Sequence, residues 1–178
     1  MKILAMDPSL TSFGWALWED GEAAAGVICP SSRGQPRVHE ILKRVGGHCE
    51  GLTLALMEGY SFGSKGRGQY DGAEMRGVVK FYLWQYGIPL VEVPPSTLKM
   101  YATGRGNAPK NAVLVQAVKR LEYQGTSDDV ADAKWILQLA LAHYGLPGAV
   151  DLPKTHTRAL EKIKWPELEI PEELRRVA

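Results

Sequence analysis

The segment MKILAMDPSLTSFGWALWEDGEAAAGVIC, residues 1–29, decides the fold. Lys2 to Met6 is a short apolar run that halts at Asp7-Pro8, where proline cannot extend a strand ladder. Phe13 to Trp18 reads as a second strand and Ala23 to Cys29 as a third. Between these two, Glu19-Asp20-Gly21 carries an Asp-Gly turn signal. Three strands joined by tight turns predict an antiparallel meander.

Beyond the meander, strands and helices alternate. Gln35 to Cys49 places Val38, Ile41, Leu42 and Val45 on one helical face. Leu52 to Met57 is a buried strand that ends, like the first, in an acid, Glu58. Residues 59–68 are glycine-rich and read as a functional loop. A long helix over Asp71 to Tyr86 and a strand over Ile88 to Val93 come next, and Pro94-Pro95 opens a short helix through Tyr101. Thr103 to Asn107 is a loop, and Pro109 starts a helix to about Leu121. Ser127 is a natural N-cap for a last helix reaching His143. The expected fold class is α/β: a mixed sheet, three antiparallel strands then parallel strands, flanked by helices on both faces. Residues 1–147 form the expected domain. Residues 148–178, punctuated by Pro153, Pro166 and Pro171, read as a charged tail with one short helix around Arg158 to Ile163.

With 178 residues, 45% of them hydrophobic, the chain can bury one sizeable core. Charged residues reach 23% but the net charge is only +1, so any nucleic-acid surface must be a local basic face set against a local acidic site. Cys29 and Cys49 form no CxxC pair and read as buried free thiols of a reducing compartment. The apolar start is too short for a signal peptide, and no stretch reaches the roughly 20 apolar residues that span a bilayer. A soluble, cytoplasmic protein without a membrane partner is expected.

The chemistry lies in the carboxylates. Asp7 and Glu58 each close a strand, and the carboxyl ends of parallel strands are where α/β folds place their sites. In Ser127-Asp128-Asp129-Val130-Ala131-Asp132 the pair Asp129 and Asp132 shares a helix face, as does the pair Asp128 and Asp132. Carboxylates gathered without counter-charge repel one another, and divalent cations remove that conflict. Oxygen-only ligands favour Mg²⁺, with Mn²⁺ able to substitute, over zinc. Two such ions suit in-line attack on a phosphodiester. Taken singly, each acid has an ordinary reading as a turn residue or a helix-dipole partner.

Four motifs resemble those of RuvC-type Holliday junction resolvases in the RNase H-like superfamily. MDPSLTSFGWAL, residues 6–17, is similar to the first motif, an Asp closing one strand and a Gly-aromatic pair opening the next. LALMEGYSFGSKG, residues 54–66, resembles the second. The segment from Ala73 to Val118 shares the family pattern of helix, strand, then Lys99 to Thr103-Gly104-Arg105-Gly106 and Lys110. SDDVADAKWILQLAL, residues 127–141, resembles the last motif. The likeness covers residues 1 to about 145.

It implies a Mg²⁺-dependent endonuclease that resolves four-way DNA junctions by paired symmetric nicks, with two ions per site. The catalytic and metal-ligating acids it implies are Asp7, Glu58, Asp129 and Asp132, with Asp128 an open alternative to Asp129. Lys110 is implied as a further catalytic group, facing charge that builds on the scissile phosphate. The expected DNA contacts are Tyr60, Phe62, Lys65, Arg67, Arg76, Lys99, Arg105 and Lys110. Tyr60 or Phe62 would stack at the junction centre, an interaction worth about 1–3 kcal/mol per base. A homodimer is implied, formed through the helix carrying Met75, Val78, Val79, Tyr82, Leu83 and Tyr86, and matching the two-fold symmetry of the junction. The sequence identifies no helicase partner. The glycine-rich loop and the C-terminal stretch depart from the family pattern and fit a divergent, phage-like branch. A flap or RNase H-like nuclease and a non-cleaving junction-binding protein are the alternatives. An actin-like ATPase would need a second domain for which the chain is too short.

Overall fold

The computed structural model describes residues 1–60 and 67–175, with the backbone course alone for residues 67–71. Strand β1 (Lys2–Asp7) lies at the centre of a five-stranded sheet ordered β3-β2-β1-β4-β5. It pairs antiparallel with β2 (Phe13–Glu19), which pairs antiparallel with β3 (Glu22–Ile28). On its other side it pairs parallel with β4 (Leu54–Glu58), and β4 pairs parallel with β5 (Leu90–Val93). The predicted meander is present. Asp20 and Gly21 bridge the Glu19–Glu22 pair with positive φ values of 46° and 103°, as a two-residue hairpin turn requires.

Alternation along the strands divides the core. Leu4, Met6, Ala55 and Met57 face helices α1 (Gln35–Gly46) and α2 (Arg67–Gln85), which bury Val38, Ile41, Val45, Met75, Val79 and Leu83. Ile3, Ala5, Leu54 and Leu56 face the opposite layer, helices α3 (Pro95–Thr103), α4 (Lys110–Arg120) and α5 (Asp128–His143). Side chains alternate with period two, so Asp7 follows Ile3 and Ala5 onto the α5 face, and Glu58 follows Leu54 and Leu56 there. The sheet thus aims both acids at one layer.

Helix α2 begins four residues before the expected Asp71, and β5 starts two residues after Ile88. The stretch expected as a tail is docked instead. Its helix is α6 (Lys154–Thr157), followed by a 3-10 turn at Leu160–Lys162, rather than one helix over Arg158–Ile163. Ala149, Ala159 and Ile163 are buried in the α3–α5 layer. Trp165 stacks on His143 at 4.3 Å between ring centroids, and the Tyr144 hydroxyl donates to the Pro166 carbonyl at 2.8 Å. These apolar residues have no helical or strand period, which hides their burial from sequence patterning. Both cysteines are free, but neither is buried as expected: Cys29 is exposed, because it follows the edge strand, and Cys49 is half-buried. Among the described residues no helix is long and apolar enough to cross a membrane.

Candidate active site

The acids meet at the carboxyl edge of β1 and β4. Met6 pairs with Met57, so Asp7 and Glu58, the next residue on each strand, are lateral neighbours. Asp7 is 8% exposed. Helix α5 brings the other acids over this edge. Ser127 caps it, its hydroxyl accepting from the Val130 amide at 3.3 Å, which fixes the first turn where Asp128 and Asp129 stand. On β2, Gly14 is the register partner of Asp7, and a Cβ built there would stand 2.1 Å from the Asp129 carbonyl oxygen. The bare glycine lets the start of α5 rest on the strand. Ser12 then donates its hydroxyl to Asp129 Oδ2 at 2.5 Å.

The electrostatics show that the four acids share one space. Burial first, then the charges of Glu58, Asp132 and Asp129, hold the Asp7 carboxyl well above the ordinary carboxylate range. Burial, with Glu58 next, pushes Asp132 up to about 7. Glu58 is also raised by burial, opposed by Arg76 and then by its bond to Asp7 and the charges of Lys110 and Lys99. Arg76 reaches Glu58 twice, with Nε on the backbone carbonyl at 3.0 Å and Nη2 on the carboxylate at 3.3 Å.

Asp128 also raises Asp132 through its charge, after burial and Glu58, but it is itself paired with a cation. Its carboxylate takes Lys110 Nζ at 2.5 Å, which lowers the Asp128 pKa and raises that of Lys110. Of the two adjacent aspartates, Asp129 is the one among the three acids that raise the Asp7 pKa.

The donor set tests whether a divalent cation fits. It is all oxygen and mutually repulsive, with Asp7 buried and Glu58, Asp129 and Asp132 half-buried, which matches hard cations such as Mg²⁺. Among the described residues, no group of three or more His, Cys, Asp or Glu side chains is drawn together closely enough to hold a metal ion as the side chains stand. Two of the four carboxylates are held by neighbouring side chains, Asp129 by Ser12 and Glu58 by Arg76.

The remaining expected residues are distributed as follows. Lys99 and Lys110 both act on Glu58 through their charge. Arg105 is exposed on the loop between α3 and α4. Tyr60 lies beneath two cations, Lys80 Nζ at 4.9 Å and the Arg76 guanidinium carbon at 5.8 Å from its ring centre. Phe62, Lys65 and the side chain of Arg67 lie outside the described residues. Sequence reasoning missed Ser12, Gly14 and the direct pairing of Arg76 with Glu58. The Ser-Phe-Gly step at the start of β2 was the available signal for the first two.

No family model matches the chain. RuvC of Thermus thermophilus in complex with a Holliday junction substrate superposes with a TM-score of 0.61 at 22% identity, covering 76% of this chain and 90% of that one. The fowlpox virus Holliday junction resolvase superposes with a TM-score of 0.54 at 13% identity, covering 80% and 99%. Sheet order and helix layers define an RNase H-like α/β fold with an acidic centre. The crossover junction endodeoxyribonuclease RuvC of Synechococcus sp. strain WH7803 is 34% identical over 146 residues, covering 75% of this chain and 93% of the relative. The chain belongs to the RuvC family of crossover junction endodeoxyribonucleases.

Proposed function

We propose that this protein is a structure-selective endonuclease that resolves four-way DNA junctions by paired, symmetric nicks, working in the cytoplasm. The observation that carries the reading is the adjacency of Asp7 and Glu58 at one sheet edge, beneath the first turns of α5 with Asp129 and Asp132. These four carboxylates would hold two Mg²⁺ ions, or Mn²⁺ in their place. When bound, the ions supply activation of the attacking water and neutralisation of the leaving 3′ oxygen. The protein's part is positional and electrostatic. Arg76 fixes the Glu58 carboxylate, Ser12 fixes Asp129, and burial of Asp7 excludes water from its side of the centre. Lys110, with its side chain 74% exposed, exchanges Asp128 for a non-bridging oxygen of the scissile phosphate. Lys99 and Arg105 would contact neighbouring phosphates, and Tyr60, with Phe62, Lys65 and Arg67, the junction centre.

Two nicks require two sites, and α2 supports a homodimer. Met75, Val79 and Leu83 face the sheet, while Phe81, Trp84 and Tyr86 are 61%, 75% and 62% exposed. Three large exposed aromatics near the end of one helix form the kind of apolar ridge that a second copy covers in a two-fold interface.

Cleavage of a synthetic mobile four-way junction in Mg²⁺, mapped at nucleotide resolution on both strand pairs, tests the proposal. Symmetric paired nicks are expected. Preferential cutting of flaps or RNA–DNA hybrids with the junction left intact would replace it with the broader nuclease reading.

A further inference from the structure

A second concave surface opens at the same sheet edge, on the opposite face from the acids. It is a groove of about 360 Å³ lined by Pro8, Ser9, Thr11, Arg37, Gly72 and Arg76, with Leu10 alongside. Among the described residues, two guanidinium groups and two hydroxyls line it and no carboxylate does. Its floor is the loop that continues directly from Asp7. That loop is tied by the Ser9 hydroxyl, which accepts from the Thr11 amide at 3.3 Å and the Ser12 amide at 3.4 Å. One wall is the first turn of α1, where Arg37 donates Nε to the Ser32 carbonyl at 3.2 Å. The other wall is α2. A Cβ at Gly72 would stand 2.8 Å from Arg76 Nη1, so this glycine makes room for the guanidinium. Arg76 therefore joins two places: it holds Glu58 and it lines the groove.

A centre of four acids repels the polyanion it must cut. Favourable charge has to come from beside the acids, at a distance the same DNA strand can reach. This groove meets that need: it is cationic, shares the loop after Asp7 with the acidic centre, and is linked to Glu58 through Arg76. We propose that it is a phosphate subsite for the strand flanking the scissile bond, with Arg37 as its own cation. The proposal rests on the reading of the chain as a junction-binding enzyme. It adds Arg37, Ser9 and Thr11 to the DNA-contacting surface and gives Arg76 two simultaneous tasks.

The test is junction binding in Ca²⁺, across a series of salt concentrations, for wild type, Arg37→Gln and Arg37→Lys. Thermal melts check that each variant is folded. One lost phosphate contact lowers the magnitude of the slope of log affinity against log salt by about 0.9. Arg37→Gln is expected to show that loss, with affinity down about threefold to tenfold at low salt, and Arg37→Lys to restore the slope. Wild-type affinity and slope in a folded Arg37→Gln would overturn the subsite while leaving junction binding intact. So would an Arg37→Lys variant as impaired as Arg37→Gln, because the role would then lie in the Nε bond to Ser32 and not in charge. A wild-type protein that binds no junction at all would overturn the functional reading together with the subsite. Inorganic phosphate serves as a competitor: displacement of the junction at millimolar phosphate by wild type but not by Arg37→Gln supports a subsite for the phosphate group itself.

Discussion

Gly14 lies directly against the backbone of Asp129, close enough that a methyl group on Gly14 would stand 2.1 Å from the Asp129 carbonyl oxygen. Because Gly14 is also the register partner of Asp7, one missing side chain sets how near α5 comes to the central strand. Gly14→Ala is therefore expected to push the first turn of α5 outward. Overpacking of this kind costs about 1–3 kcal/mol, and displacement of Asp129 should lower cleavage by an order of magnitude or more. Urea unfolding and single-turnover cleavage check both effects. Wild-type behaviour in both would show that the contact does not set the position of Asp129.

Asp128 and Asp129 are adjacent in sequence but have different partners. Asp128 is paired with Lys110 at the surface, whereas Asp129 is held by Ser12 beside Asp7. Asp129→Asn should lose cleavage about 100-fold or more and weaken Mn²⁺ binding. Asp128→Asn should leave Mn²⁺ affinity in place and change cleavage less than about tenfold, since an exposed ion pair contributes at most ~1 kcal/mol. Calorimetric titration of Mn²⁺ into both variants distinguishes them.

The raised carboxyls make stability depend on pH in a stated direction. Unfolded, an aspartate titrates near 3.8, whereas in the fold Asp132 reaches about 7 and Asp7 and Glu58 are also raised. The native state therefore binds protons that the unfolded chain releases, so the stabilisation is fully present below the ordinary values and is lost as pH rises through the raised ones. In chelator, the melting temperature should fall by several degrees between about pH 5 and about pH 8, and Mg²⁺ should recover more of it at the higher pH. Asp132→Asn should flatten the profile. A metal-free melting temperature that rises over this interval would contradict the assigned repulsion.

His156 ties the C-terminal segment to the loop ahead of Lys110. Its Nδ1 donates to the Tyr101 carbonyl at 2.7 Å, and its ring covers Gly104, whose φ of 78° caps α3. A Cβ at Gly104 would lie 3.1 Å from His156 Nε2. His156→Leu leaves a buried carbonyl without its donor and should cost about 1–3 kcal/mol, with His156→Asn recovering part of it. Denaturant unfolding reads both values. Equal stability of all three proteins would show that the segment is held by its apolar contacts alone.

Much of this architecture was legible from short stretches of the sequence. Apolar runs that halt at Asp7 and Glu58, the Asp20-Gly21 turn and the Ser127 cap are local signals, and each was sufficient for its element. The period of two also decided which face the acids take, once β1 and β4 were neighbours. Other features lay outside local patterning. Trp165, Leu168 and Ile170 are separated by prolines and charges, so only tertiary contact reveals that they pack on the core. The pairing of Lys110 with Asp128 joins residues 18 apart from two different helices, and the approach of α5 to Gly14 depends on an absent atom. The basic residues divided for a similar reason. Lys99 and Lys110 face the acids, whereas Lys119 and Arg120 end α4 about 15 Å further along, since each helical residue rises 1.5 Å.

The central claim is that Asp7, Glu58, Asp129 and Asp132 act together to support metal-dependent cutting of a bound junction. Its most direct test is Asp7→Asn, assayed in parallel for junction affinity in Ca²⁺ and for Mg²⁺-dependent cleavage. Cleavage should fall by about three orders of magnitude while affinity stays within a few-fold of wild type, because several kcal/mol of charge stabilisation is lost without removing a phosphate contact. Undiminished cleavage by this variant would contradict the account.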